Sequence, residues 1–258
     1  MLTACFVLVS FVLLQTDSKP VPDVESFLAE FRKTLHTDNV LLSQYTYTEK
    51  RSHTELDSNG KPKKTDVEVY EITRGSEPAS LYRRLVEKNG AAVRSAKPEK
   101  VRRAGPRDDE KVIDDLFGVY EMEIIGREEV DGRPALQLSF KPRAAYKPKT
   151  RQGSFMQHVA GQAWISEIDH QLVRVDAQVV DTISIGFGLL ARLQKGARIY
   201  AERKKINNEI WLPARTEATV SARVLLLKGI NIREIFEYSD YKKFNVETIL
   251  KFPDTEKD

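Results

Sequence analysis

The pair best suited to proton chemistry is Asp169-His170, in the middle of GQAWISEIDHQLVRVDAQV at 161–179. A carboxylate beside an imidazole can act as general acid and base. Its flanks favour another role: WISEI and QLVRV have the pattern of two hairpin arms, and an aspartate in such a turn bonds its side chain to nearby backbone. The pair is expected to support the turn, not to form a catalytic dyad. The other histidines, His36, His53 and His158, have no partner at H-E-x-x-H or H-x-H spacing, which argues against a metal site. Asp108-Asp109 and Asp114-Asp115 fall at a predicted helix start, where acidic side chains complement exposed N–H groups. Gly153-Ser154 lies in a polar basic loop without the strand and helix that a G-x-S-x-G elbow needs. Gly186 and Gly188 in SIGFGLL form a lone G-x-G, expected to bend an apolar strand. These observations predict neither catalysis nor a bound cofactor.

The elements that would position these residues are mostly strands. PDVESFLAEFRKTLHT places Val24, Phe27, Leu28, Phe31 and Leu35 at helical spacing. QYTYTEKRSHTEL and TDVEVYEITRG flank the turn residues SNGKPK at 58–63, and a third strand in SLYRRLVEKNG closes on Asn89-Gly90. Residues 91–111 predict a charged surface excursion, and DDEKVIDDLFGVY a short helix. EMEIIGREEV and RPALQLSFKPR meet at Asp131-Gly132, a strong hairpin signal. A basic loop at 143–156 follows. Then come GQAWISEI, QLVRVDAQV, LARLQKGARIYAERKKI, IWLPARTEATVSARVLLL and INIREIFEYSDYKKF, with the last turns at NNE and KG. Val173, Val175, Ala177 and Val179 alternate with Arg174, Asp176 and Gln178, as a sheet with one covered face requires. The expectation is a mainly β (α+β) antiparallel meander forming one domain over 19–258.

The 41 Lys and Arg are nearly balanced by 38 Asp and Glu, so no nucleic-acid partner is expected. The basic stretches 97–107 and 141–151 lack interleaved aromatics and are expected to be solvated loops, with anionic headgroups or an acidic partner as the alternative. The lone cysteine, Cys5, lies in LTACFVLVSFVLL, a run of 13 nearly uninterrupted apolar residues. A membrane span needs about 20 residues, whereas a signal peptide's apolar region has about this length. A signal peptide at 1–18 is therefore expected, cut between Thr16 and Pro20. LTAC at 2–5 has the letters of a lipobox, but its apolar run follows the cysteine instead of preceding it. The exported protein would be soluble or anchored at its N-terminus, with peripheral membrane contact.

The order G-x-x-W-I-S-x-x-D-x-Q-L-V-R-V at 161–175, followed by KGARIYAERKKINNEIWLPARTEATVSARVLLLKG and EYSDYKKF, resembles the LolA/LolB-like lipoprotein carrier superfamily. In particular it is similar to exported members described as outer-membrane lipoprotein-sorting proteins, most clearly over 157–244. The resemblance implies a strongly curved antiparallel sheet forming an unclosed half-barrel. An N-terminal helix and a short internal helix would cover its concave face. It also implies a location in the periplasm of a Gram-negative bacterium and a carrier that shields acyl chains of a lipid or lipoprotein in an apolar cavity, without catalysis. The lining expected here is Trp164, Phe187, Leu190, Trp211, Leu225 and Phe236, each with plain core packing as its alternative. A second reading is a periplasmic sensor or scaffold module that binds an envelope protein without lipid cargo. A continuous apolar cavity beneath the helices would favour the first; a filled interior would argue against it.

Overall fold

The computed structural model describes residues 20–74, 81–101, 106–185, 191–224 and 228–243. In chain order the elements are α1 (Val24–Thr34), α2 (Asp38–Leu42), β1 (Tyr45–Leu56), β2 (Pro62–Arg74), β3 (Leu81–Lys88), β4 (Ala91–Ala92) and β5 (Glu99–Val101). There follow α3 (Pro106–Val119), β6 (Tyr120–Val130), β7 (Arg133–Pro142), α4 (Arg151–Met156), β8 (Val159–Ser166) and β9 (Leu172–Val179). The last are β10 (Ile183–Ile185), β11 (Ala191–Leu193), β12 (Arg198–Ile206), β13 (Ile210–Val224) and β14 (Lys228–Lys243). The expected signal peptide lies outside the described residues.

All strands join one antiparallel sheet, in the order β4-β3-β2-β1-β14-β13-β12-β9-β8-β7-β6, with β5 on β3 and the β10–β11 pair attached to β13. The two ends of this order do not pair, so the sheet is an unclosed half-barrel. Turn chemistry explains much of the meander. Asn89-Gly90 (φ 49° and 82°), Asp131-Gly132 (52° and 68°) and Asn207-Asn208 (50° and 58°) supply the consecutive positive φ values that tight hairpins demand. LARLQKGARIY is broken in two, because Gly196 turns the chain at φ 91°. The Lys228-Gly229 pair begins β14 instead of forming its turn; Val224 pairs with Lys228, which leaves the connection at 225–227, outside the described residues.

Helix α1 starts at Asp23, whose carboxylate accepts from the Ser26 amide at 2.9 Å. Its apolar spacing buries Phe27, Phe31 and Leu35 against Leu136, Leu138 and Ile165 of the sheet. Helix α3 supplies Ile113, Leu116 and Phe117 to the same cluster. The basic loop at 143–156 contains a further helix, α4, which Thr150 caps by accepting from the Gly153 amide at 2.8 Å.

Register fixes which side chains share a face. Across directly paired positions, Leu138, Ala163, Val175, Ala201 and Thr216 form one row, and Phe140, Gly161, Ala177, Ile199 and Ala218 the next. These face the helices. The opposite face carries Gln137, Trp164, Arg174, Glu202, Arg215, Glu237 and Lys50 in a single row. Its ion pairs include Arg174–Glu128 (3.3 Å), Arg215–Glu237 (3.4 Å) and Lys50–Glu237 (3.2 Å).

Candidate ligand cavity

Helices α1, α3 and α4 do not fill the space they roof. Phe31, Leu35, Leu116 and Met156 from above, and Leu138, Phe140, Ala163, Ile165, Val175, Ala177 and Ile199 from the sheet, enclose a cavity of about 210 Å³. Every lining residue is apolar apart from the hydroxyl of Tyr120, whose ring lies 4.7 Å from that of Phe140. Burial pushes the Tyr120 phenol well above its ordinary pKa, so it stays neutral. With no charge and no unpaired polar group demanded of an occupant, the cavity suits hydrocarbon. Between the lining residues Phe140 and Ala177, Gly161 sits against the backbone of the next strand: a Cβ there would lie 2.3 Å from the Asp176 carbonyl oxygen, so no side chain fits.

The roof is tied down by carboxylates that the helix-dipole reading did not assign. Asp115, wholly buried, lies within α3 and not at its start. It accepts from the Lys149 amide (2.9 Å), the Thr150 amide (2.7 Å), the Thr150 hydroxyl (2.6 Å) and the Tyr146 hydroxyl (3.0 Å). Burial raises its pKa, but those hydrogen bonds outweigh burial and hold the carboxyl below its usual value. Gly153 packs so closely that a Cβ would lie 2.2 Å from Asp115 Oδ2, which fixes α4 against α3. Asp109, also buried, accepts from the Thr37 amide at 2.8 Å and meets His36 Nδ1 at 3.2 Å. Arg32 of α1 pairs with Asp114 of α3 and lies 5.0 Å above the Phe117 ring.

Asp169-His170 does hold a turn: the His170 amide donates to the Ser166 carbonyl at 3.0 Å, and the Asp169 carboxylate adds long-range contacts. The Asp169 carboxylate pairs with Lys205 and accepts from Trp211 Nε1 at 3.2 Å. Burial raises its pKa, and the bonds from Lys205, Ser166 and Trp211 more than reverse this. His170 adopts φ 52°, offers its carbonyl to the Thr34 hydroxyl and sets its ring 5.1 Å from Phe27. The β8–β9 turn is thus a dock for α1.

Of the six residues named from sequence, the three that are described, Trp164, Trp211 and Phe236, do not border this cavity. Trp164 faces the opposite side of the sheet, where Arg174 covers its ring at 5.2 Å and Glu128 accepts its Nε1–H at 2.7 Å. Trp211 is fully buried with Trp164, Val130, Ala135 and Val173. Val173 joins that cluster, not the Val175 and Ala177 side, because a bulge interrupts the β8–β9 ladder beside it. Phe236 is on the concave face, in the row of Thr216, but beyond the cavity. Phe187, Leu190 and Leu225 lie outside the described residues. The lining that the sequence reading missed had a signal: Leu138 and Phe140 alternate with Gln137 and Ser139 in RPALQLSFKPR.

No family model matches the chain, and no curated protein matches it. Solved structures do. A LolA superfamily protein from Nitrosomonas europaea is 13% identical, over 88% of this chain and 96% of its own, with a TM-score of 0.34. An outer membrane lipoprotein-sorting protein domain from Vibrio parahaemolyticus is 10% identical, over 88% and 93%, with a TM-score of 0.36. A DUF1329 family protein from Desulfovibrio piger is 14% identical, over 88% and 95%, also at 0.36. With every score this low, the fold assignment rests on the strand order and packing described above. That layout, an unclosed antiparallel sheet with helices on its concave side, is the one implied by the LolA/LolB-like resemblance.

Proposed function

We propose that this protein is an exported carrier that binds a lipid or the lipid moiety of a lipoprotein, shielding an acyl chain between the sheet and helices α1, α3 and α4. The observation that carries the reading is the apolar cavity of about 210 Å³ beneath those helices. Each methylene moved there from water contributes about 0.8 kcal/mol. The apolar run at 2–14 supports export, and a periplasmic location follows from the same reading. A second reading, a module that binds an envelope protein, draws support from β6, an 11-residue edge strand with no partner on its outer side among the described residues.

Native mass spectrometry of the purified protein tests the carrier reading, together with titration of a fluorescent acyl probe. Bound hydrocarbon that is lost in Ala163→Phe, which fills the cavity, is the expected result. A protein that carries no lipid and ignores the probe would leave the partner-binding reading in its place.

A further inference from the structure

The concave face continues past the cavity, and its chemistry changes abruptly. From Ala201 and Thr216 the first row runs on through Phe236 to Arg51, Glu68 and Lys88. From Ile199 and Ala218 the second runs on to Glu234, His53 and Asp66. Both rows are apolar up to β13 and become charged where β14 meets β1. Over the charged half lies an open cleft of about 690 Å³, lined by those residues and Lys64. Ala201, Thr216 and Ala218, between the two halves, are only part-buried. From Val175 on β9 to Arg51 on β1 is four strand spacings, about 19 Å at ~4.8 Å each. One leaflet's acyl chain spans about 15 Å, half the hydrocarbon thickness of a bilayer.

The fixed charges of the cleft cancel: Arg51, Lys64 and Lys88 face Asp66, Glu68 and Glu234. Lys64–Asp66 (2.6 Å), Lys88–Glu68 (2.9 Å) and His53–Glu234 are paired while keeping 29–64% of their side-chain surface exposed. Exposed pairs of this kind hold their partners weakly and can exchange them. Arg51 is more firmly placed. Its Nε donates to buried Glu49 at 2.5 Å, and its guanidinium lies 5.1 Å from the Tyr70 ring centre and 5.3 Å from that of Phe236. Such a cation is pre-organised for a ligand anion.

We propose that the concave face binds a single-chain zwitterionic phospholipid of the lysophosphatidylethanolamine class. The acyl chain occupies the cavity, the phosphate meets Arg51 and Lys88, and the ammonium meets Glu234 and Asp66. The proposal rests on the carrier reading and specifies its ligand. Two chains do not fit, because this cavity of about 210 Å³ is little larger than the roughly 150 Å³ that accommodates a single benzene ring; the rest of the single chain lies along Ala201, Thr216 and Ala218. A purely anionic head gains no net attraction from balanced charges, and a fatty acid leaves the acidic side chains unmatched.

The test titrates the lipid-stripped full chain with lysophosphatidylethanolamine, lysophosphatidylglycerol and the free fatty acid of the same acyl length, all below their micelle concentrations. The zwitterion is expected to bind about tenfold more tightly than either other probe. Glu234→Gln should remove that advantage and leave fatty-acid affinity unchanged, whereas Lys88→Glu, at a side chain that is 53% exposed, should weaken all three probes. Equal affinity for all probes, tightest binding of lysophosphatidylglycerol, or an equal loss for every probe in Glu234→Gln would overturn the headgroup assignment while sparing the carrier reading. Binding of none of the probes would overturn both.

Discussion

The two halves of the concave face belong to one continuous antiparallel sheet, yet only one is roofed by α1, α3 and α4. Over β6 to β9 and β12, the inward positions beneath α1, α3 and α4 are apolar or small, and helices with matching apolar faces cover them. Over one end of β1, β2 and β14 the inward positions are Arg51, His53, Asp66, Glu68 and Glu234 beside Phe236, and these line an open cleft. The difference shows what decides where a helix docks on a sheet. Covering charged rows would strip water from ion pairs at a cost of several kcal/mol per ion, whereas covering the apolar rows releases it favourably. Helices α1, α3 and α4 therefore settle on one half, α2 packs Leu41 and Leu42 on the apolar end of the other against Tyr45, Tyr47 and Ile72, and the boundary between the halves becomes an amphipathic groove.

The sharpest way to break this contrast is to weaken the roofed half. Leu138→Ala removes a buried side chain from the cavity wall and is expected to lower unfolding stability by about 3 kcal/mol, measured by denaturant titration. The equivalent truncation in the open half, Lys88→Ala, should leave it unchanged within the error of the titration. Asp115→Ala tests the tether of the roof. It leaves the Lys149 and Thr150 amides without their acceptor, and a loss of about 2–3 kcal/mol is expected, with proteolytic nicking of 143–156 appearing before global unfolding.

Acid sharpens the same contrast. The folded pKa of Asp115 is depressed, so its contribution is fully present above the unfolded value near 3.9 and is lost as pH falls through the lower folded value. The wild-type protein should lose stability more steeply than Asp115→Asn below about pH 4, as read from thermal midpoints across pH. Parallel curves would remove Asp115 from the acid response. The smallest effect belongs to the exposed pairs: a double-mutant cycle on Lys88 and Glu68 should give a small favourable coupling that vanishes in high salt.

Several features were legible in advance because they depend on neighbours in sequence. Asn89-Gly90 and Asp131-Gly132 make the turns their positive φ values allow, and Phe27, Phe31 and Leu35 form the buried stripe their spacing announces. The alternation of Val175 and Ala177 with Arg174 and Asp176 separated the two faces of β9 correctly. Val173 escaped because a one-residue bulge reverses everything on its far side. Trp164 escaped for another reason. Its size predicted burial, which is right, but burial can come from an overlying Arg174 and Glu128 on the outer face as well as from a core.

By itself the sequence determined the hairpins, the period of each strand and helix, and the sign and size of every side chain, since these follow from local sterics and the two periodicities of the backbone. Only the tertiary structure decided that β14 lies beside β1. That pairing sets Phe236 against Arg51 and Glu234 against His53, residues more than 180 positions apart. Local chemistry carries no information about which distant strand will be a neighbour. The charged half of the groove, and its junction with the cavity, therefore came into view only once the sheet was assembled.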